Sequence, residues 1–153
     1  PKFSELFWNN QKKELNQLIF QSSKLIFWSC LFVSSILIFG GKLILELFDS
    51  DFVIGRTVLI ILVLGQIVNA ATGSVGIFLN MTGHQQILKN IIVVTSIIVV
   101  LSYLIFVPQY GMIGAAVVSI SGTIIINVSS AYYVFKKLNY TTFYLPFLRP
   151  RNE

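Results

Sequence analysis

One long uncharged stretch constrains the fold of this chain more than any other feature. Between Arg56 and Lys89 the sequence contains no Asp, Glu, Lys or Arg, and most of the stretch is apolar. It is long enough to cross a bilayer, which takes about 20 apolar residues of helix. Polar side chains nevertheless recur within it, and they need internal partners or a polar passage because unpaired polar groups are costly inside a membrane. These side chains are Gln66, Asn69, Thr72, Ser74, Asn80 and Thr82.

The composition of the whole chain also favours a membrane protein. Of its 153 residues, 55% are hydrophobic and only 11% are charged, whereas a soluble domain averages about 25% charged residues. The net charge of +5 comes from Lys and Arg scattered between apolar runs. This scatter argues against nucleic acid as a partner and favours membrane lipids with anionic head groups. Cys30 is the single cysteine, so no disulfide can form within the chain.

Four segments have the length and apolarity of membrane-spanning helices. A buried strand is a poor alternative for the β-branched runs, because lipid offers no partners to an open sheet edge. We therefore predict an all-α membrane protein with four transmembrane helices. The predicted helices are Leu25 to about Phe39 with Lys42 near the end, Thr57 to Met81, Ile91 to Val107 closed by Pro108, and Ile113 to Phe135.

Two further regions flank the four-helix part, which spans residues 25–137. Residues 1–24 alternate apolar and polar side chains at helical spacing, which predicts an amphipathic interfacial helix on the cytoplasmic side. It serves either as a connector, the interpretation we favour, or as a hinge or gate. Residues 138–153 form an aromatic and basic cytoplasmic tail suited to the membrane interface. Because the chain opens on Pro1 inside the amphipathic stretch, we expect it to be a fragment of a longer polypeptide.

The distribution of basic residues predicts the orientation of the helices. If the four predicted helices alternate in direction, nine of the 11 basic residues lie on the side of the N-terminus. The other side holds Lys42 and Arg56. The positive-inside rule therefore puts both ends of the chain in the cytoplasm. The nine residues are Lys2, Lys12, Lys13, Lys24, Lys89, Lys136, Lys137, Arg149 and Arg151.

Two of the predicted helices carry a stripe of small and polar residues. Small residues let helices approach, and amides can then bond across the contact for about 0.6–2 kcal/mol each. Each stripe is therefore either a packing seam or the wall of a hydrated cavity. At about 100° per residue, the second helix groups Gly65, Asn69, Gly73, Gly76 and Asn80, with Gln66 just outside one edge. In the fourth helix the stripe is Gly111, Ala115, Ser119, Thr123, Asn127 and Ala131.

The candidates for a substrate pathway are the amides of these stripes together with Arg56. Arg56 could attract an anionic substrate, although snorkelling to the interface or pairing with Asp49 or Asp51 is the simpler interpretation. The five candidates are Gln66, Asn69, Asn80, Asn127 and Arg56.

Catalysis finds little support in the sequence. His84 has no second histidine or carboxylate nearby, which argues against a metal or general-base role. The segment from Gly73 to Gly76 lacks the lysine that a phosphate-binding loop requires. We expect no enzyme activity, no catalytic residue, no bound metal and no cofactor. A membrane enzyme of envelope polysaccharide synthesis and a non-transporting scaffold remain alternatives.

The order of several short phrases resembles a known family. Gly65-Gln66 and Asn69 precede Thr72-Gly73-Ser74, and the segment ends in Leu79-Asn80-Met81-Thr82-Gly83. A Pro-x-Tyr-Gly-x-x-Gly-Ala-Ala turn then runs from Pro108 to Ala116. With the opening segment, these phrases resemble the C-terminal region of Wzx-type oligosaccharide flippases. Those polysaccharide-biosynthesis membrane proteins belong to the multidrug/oligosaccharidyl-lipid/polysaccharide exporter superfamily.

The resemblance implies a fold and an activity. The chain would supply four helices of the second lobe of a MATE-like helix bundle in the bacterial cytoplasmic (inner) membrane. It would help to flip an undecaprenyl-diphosphate-linked oligosaccharide repeat unit for O-antigen, capsule or exopolysaccharide synthesis, by alternating access. The implied partners are this lipid, the remaining helices of the transporter and a polysaccharide polymerase. MATE-like efflux and lipid II flipping are alternatives within the superfamily.

Overall fold

The computed structural model describes residues 2–46, 55–140, 142 and 144, which are helical almost throughout. No strand occurs among them, which confirms the prediction of an all-α chain. The connection that carries Asp49 and Asp51, and most of the tail, lie outside the described residues. The helices are α1 (Lys2–Trp8), α2 (Lys12–Glu46), α3 (Arg56–Ala71), α4 (Val75–Met81) and α5 (Gln85–Tyr133), followed by a π-helical turn (Val134–Leu138).

The N-terminal region is divided differently from the prediction. α1 ends at Trp8, and the chain turns at Asn10, whose φ is +58°. Asparagine adopts this left-handed conformation more readily than most residues. α2 then runs from Lys12 past residue 24 without interruption, because no glycine or proline lies between Lys12 and Phe39. Residue 24 therefore does not end a separate interfacial helix.

Two helical segments are long and apolar enough to cross a membrane, Lys12–Gly41 and Gln85–Leu138. α3 alone rises about 24 Å, less than the roughly 30 Å of a hydrocarbon core. Together α3 and α4 are long and apolar enough to form one membrane span, which is bent by 46°. This confirms that the chain contains helices long and apolar enough to span a membrane. That four helices do so stays a prediction.

The predicted continuous helix from Thr57 to Met81 is wrong, because the chain leaves the helix at residues 72–74. Gly73 has a φ of +70°, in the left-handed region, and α4 starts in a new direction at Val75. A helical wheel assumes the same rotation at every residue. The single face drawn through Asn69 and Asn80 therefore does not continue across this break, which we call the α3–α4 break.

α5 folds back on itself at Gly111, where φ is +55° and ψ is −135°. The hydroxyl groups of Tyr103 and Ser119 share a hydrogen bond although 16 positions separate them. In a straight helix this separation would be about 24 Å. Residues 85–110 thus form a first arm and residues 112–133 a second arm that packs against it.

The position of this reversal corrects the predicted end of the third helix. The sequence predicts that Pro108 closes the helix after Val107, but the first arm continues to Tyr110. A proline inside a helix removes one backbone hydrogen bond but keeps a negative φ. Reversal of the chain direction at Gly111 requires a positive φ, which glycine adopts at low cost. The chain therefore turns at Gly111.

The buried apolar core lies at one end of the helices, where α1, the start of α2, α4 and both ends of α5 meet. Phe78 is fully buried at its centre, and the rings of Phe3 and Phe7 meet it edge-on with centroids 6.3 and 6.2 Å away. Elsewhere α5 exposes long apolar surfaces, as at Ile97 and Leu104. Such surfaces suit a lipid environment.

Gly65 sets the approach of α3 to the second arm of α5. A Cβ at this position would lie 2.5 Å from Cγ1 of Ile120. We expect Gly65→Ala to lower the thermal unfolding midpoint of the chain in detergent. Overpacking costs about 1–3 kcal/mol and exceeds the roughly 1 kcal/mol that alanine gains over glycine in a helix.

Gly76→Ala is the matched control for this prediction. A Cβ on Gly76 would lie 4.0 Å from the nearest atom, in Leu88, so only the helix-propensity gain should appear. Equal midpoints for the two variants would show that α3 and α5 are not in close contact at Gly65.

Candidate polar site at the helix break

Three amide side chains meet between α3 and the second arm of α5, and we call them the amide cluster. Asn127 donates from Nδ2 to Oδ1 of Asn69 over 2.7 Å, and Asn69 donates to Oε1 of Gln66 over 3.1 Å. Asn127 also donates to the carbonyl of Thr123, one helical turn earlier, at 3.0 Å. Three of the five predicted site residues are thus connected by hydrogen bonds.

The direction of these bonds follows from the carbonyl of Thr123, which can only accept. Asn127 must therefore present its nitrogen there, and the same nitrogen is the donor to Asn69. Within the described part of the chain, this leaves Oδ1 of Asn127 as an acceptor and Nε2 of Gln66 as a donor at the two ends of the cluster. Asn127 is half-buried and Gln66 is exposed.

The polar stripe of the second arm forms a ladder of side-chain bonds to the preceding turn. Ser119 donates to the carbonyl of Ala115 at 2.9 Å, and Thr123 donates to the carbonyl of Ser119 at 3.2 Å. Such bonds to the backbone are common for hydroxyl side chains in membrane helices. Ser119 also meets Tyr103 of the first arm, and Asn127 meets α3. The stripe therefore contacts the first arm at Ser119 and α3 at Asn127.

The other two predicted site residues lie away from the amide cluster. Arg56 is the first residue of α3 and is exposed, 10 residues before Gln66 along the helix. Asn80 is exposed near the end of α4, beyond the α3–α4 break. Their assignment to a substrate pathway stays a prediction.

The amide cluster is adjacent to the α3–α4 break. Thr72 donates from Oγ1 to the carbonyl of Asn69 at 2.6 Å, and the N–H of Gly73 donates to the carbonyl of Ala70 at 3.1 Å. These bonds satisfy carbonyls that lose their helical partners where α3 ends. The backbone of Asn69, which carries one side chain of the cluster, is therefore hydrogen-bonded to the first residue of the break.

The structure adds residues around the break that the sequence did not single out. Ser23 of α2 donates to the carbonyl of Thr142 at 3.2 Å, and the N–H of Tyr144 donates to the carbonyl of Ala71 at 3.0 Å. The Tyr144 hydroxyl accepts from Trp28 at 3.4 Å. The sequence predicts the tail only as an aromatic and basic run at the membrane interface. Its alternation of tyrosine and threonine is the signal that could have suggested a packed segment.

His84 has a structural position in the apolar core. Thr82 donates its hydroxyl proton to the carbonyl of Phe78. The same hydroxyl oxygen lies 3.2 Å from Nδ1 of His84, and because its proton is already used, it accepts a hydrogen bond from this ring nitrogen. The imidazole also meets the rings of Phe7 and Tyr133. Among the described residues, no group of His, Cys, Asp and Glu has the arrangement of a metal site.

The end of the helices that holds the apolar core is also basic. Seven lysines are exposed on α1, the first 13 residues of α2, the start of α5 and the π-helical turn. Lys136 lies with its Nζ 5.4 Å from the ring centroid of Tyr132 and 3.0 Å from its hydroxyl. Such a surface attracts anionic head groups. The seven are Lys2, Lys12, Lys13, Lys24, Lys89, Lys136 and Lys137.

Comparison of the chain with family models, with curated proteins and with solved structures finds no match. The class that the fold defines is a helical protein with segments able to span a membrane. A more specific assignment rests on the polar site and on the sequence phrases.

Proposed function

We propose that this chain is part of a transporter that flips a lipid-linked oligosaccharide repeat unit across the bacterial cytoplasmic membrane. The observation that carries the proposal is the hydrogen bond from Asn127 to Asn69, which joins two membrane helices beside a break in one of them. Inside a membrane, irregular backbone is tolerated only where protein or water surrounds it. In membrane transporters, helices interrupted in this way typically line the substrate site.

The chemistry of the amide cluster suits a glycan. Sugar hydroxyl groups both donate and accept hydrogen bonds, and the cluster offers an acceptor at Asn127 and a donor at Gln66. Neutral amides can hold a polar cargo and release it without a change of charge. The exposed lysines at the basic end would attract the diphosphate of the carrier lipid.

The proposed topology has four crossings with both ends in the cytoplasm. α2, the bent pair of α3 and α4, and the two arms of α5 would each cross once. The segment Gln85–Leu138 supports two crossings rather than one, because its 54 residues would extend about 81 Å as one straight helix and the chain reverses at Gly111. The four crossings would form part of the second lobe of a MATE-like bundle, completed by the remaining helices of the transporter.

Deletion of the full-length gene in its host tests the function. We expect the lipid-linked oligosaccharide to accumulate on the cytoplasmic leaflet, as measured by labelling of glycan exposed on each face of the membrane. A plasmid that carries the wild-type gene should restore the normal distribution. An unchanged distribution with altered drug sensitivity would contradict flipping and favour MATE-like efflux, whereas accumulation of lipid II alone would favour a lipid II flippase.

A further inference from the structure

Three described residues of the tail contact the elements on both sides of the α3–α4 break. Tyr140, Thr142 and Tyr144 are all buried, with 1–6% of their surfaces exposed. Tyr140 packs in the core against Phe78, with ring centroids 5.4 Å apart. Burial raises the pKa of the Tyr140 phenol, which favours its neutral form. These three residues are thus packed next to the break.

The backbone of Tyr144 takes the place of a helical hydrogen bond. In a continuous helix the carbonyl of Ala71 would accept from the N–H of Val75, four residues later. Here it accepts from the N–H of Tyr144 at 3.0 Å. The tail therefore satisfies a carbonyl that the bend leaves without its helical partner, and straightening of the span would return that carbonyl to Val75.

The side chain of Tyr144 holds the tail against α2. Its ring contacts Phe20 and Phe27, with centroids 5.2 and 5.6 Å away, and its hydroxyl accepts from Trp28. Ser23 and the carbonyl of Thr142 fill the space next to Gly73 that a Cβ would need. Tail, α2 and break are thus packed together around one glycine.

Two buried hydroxyl groups at the break are unfavourable in this packed form. Among the described residues, Ser74 Oγ and Thr142 Oγ1 have no hydrogen-bond partner although both are buried. A buried hydroxyl without a partner is unfavourable, and opening would let water bond to it. The contacts of Tyr144 stabilise the bent form of the break, whereas the unpaired hydroxyl groups of Ser74 and Thr142 destabilise it. Opposing contributions of this kind are expected where a segment can adopt a bent and an open form.

We propose that Tyr140, Thr142 and Tyr144 form a strap that holds the α3–α4 break in its bent form, and that release of the strap lets the break open. Because Asn69 lies three residues before Thr72 and bonds to it, opening of the break would also move the amide cluster. The strap is a property of the fold and does not depend on which cargo is carried.

Thiol labelling at the break tests this proposal. In the full-length protein, Cys30→Ser and the replacement of any other native cysteine would remove background thiols. Ser74→Cys would then supply a single reporter thiol, to be reacted with N-ethylmaleimide in lipid vesicles. Adding Tyr144→Ala should raise the labelling rate at position 74 at least about tenfold, and Ser23→Ala should raise it less. Tyr132→Ala removes an exposed tyrosine and should leave the rate unchanged.

A second reporter separates strap release from unfolding. Val118→Cys lies buried in the second arm of α5 and should stay protected in the Tyr144→Ala protein. Equal labelling at position 74 with and without Tyr144→Ala would overturn the strap. Labelling of both reporters together would overturn it as well, because the tail would then support the whole fold instead of the break alone.

Discussion

We expect replacement of Gly73 with alanine to destabilise the chain strongly, because both the backbone conformation and the surrounding atoms oppose a side chain there. Gly73 has a φ of +70°, and an L-residue there costs about 1–2 kcal/mol. The new methyl group would also overlap Oγ of Ser23 and the carbonyl oxygen of Thr142, at about 1–3 kcal/mol for overpacking. The sum is a large part of the stability of a typical domain. The measurement is the thermal unfolding midpoint in detergent and the yield of monodisperse protein.

Gly83 offers a matched control for this substitution. Its φ is +82°, so alanine there carries the same backbone cost, but the nearest atom to a new Cβ is Cζ2 of Trp8 at 3.6 Å. We therefore expect Gly83→Ala to lose only about 1–2 kcal/mol. If both variants lose the same stability, the overlap with Ser23 and Thr142 contributes nothing and the break is not packed as described.

The helical character of this chain could be predicted from sequence because hydropathy and charge act locally along a helix. The lack of charge between Arg56 and Lys89, and the apolar runs on either side, are enough to indicate membrane helices. The stripe on the second arm also follows from spacing alone. Its hydroxyl groups bond to their own helix, four residues back, as the i, i+4 pattern requires.

The α3–α4 break could not be predicted in the same way, because its contacts come from distant parts of the chain. Gly73 lies against Ser23, 50 positions earlier, and against Thr142, 69 positions later. A helical wheel contains no information about such contacts. A wheel therefore places Asn69 and Asn80 on one face, although Gly73 between them is not helical.

The amide cluster was predictable in part. Spacing identified Asn69 and Asn127 as polar positions of two different helices, but not that they face each other. That pairing depends on the close contact of α3 with the second arm of α5 at Gly65, where only a residue without a Cβ fits. The reversal at Gly111 brings the second arm back along the first arm and so contributes to this contact.

Asn127→Leu is expected to reduce flipping of the lipid-linked oligosaccharide about tenfold or more. Leucine is similar in size to asparagine but removes both donors, which leaves Oδ1 of Asn69 and the carbonyl of Thr123 without this partner. Loss of a hydrogen bond costs about 0.5–1.5 kcal/mol, and more where the group left behind is buried, and about 1.4 kcal/mol is already a factor of 10 in an equilibrium or rate. The measurement is the leaflet distribution of the glycan in the gene-deleted host that carries the variant.

Val128→Leu is the control, because it places the same side chain at the neighbouring position of the same helix, where the native valine is exposed. At equal expression this variant should flip the lipid at the wild-type rate. Asn80→Leu, compared in the same assay, tests whether the exposed amide of α4 acts in the pathway apart from the cluster. If Asn127→Leu and Val128→Leu flip equally well, the bond between Asn127 and Asn69 is a packing contact and the proposed substrate site must lie on other residues of the transporter.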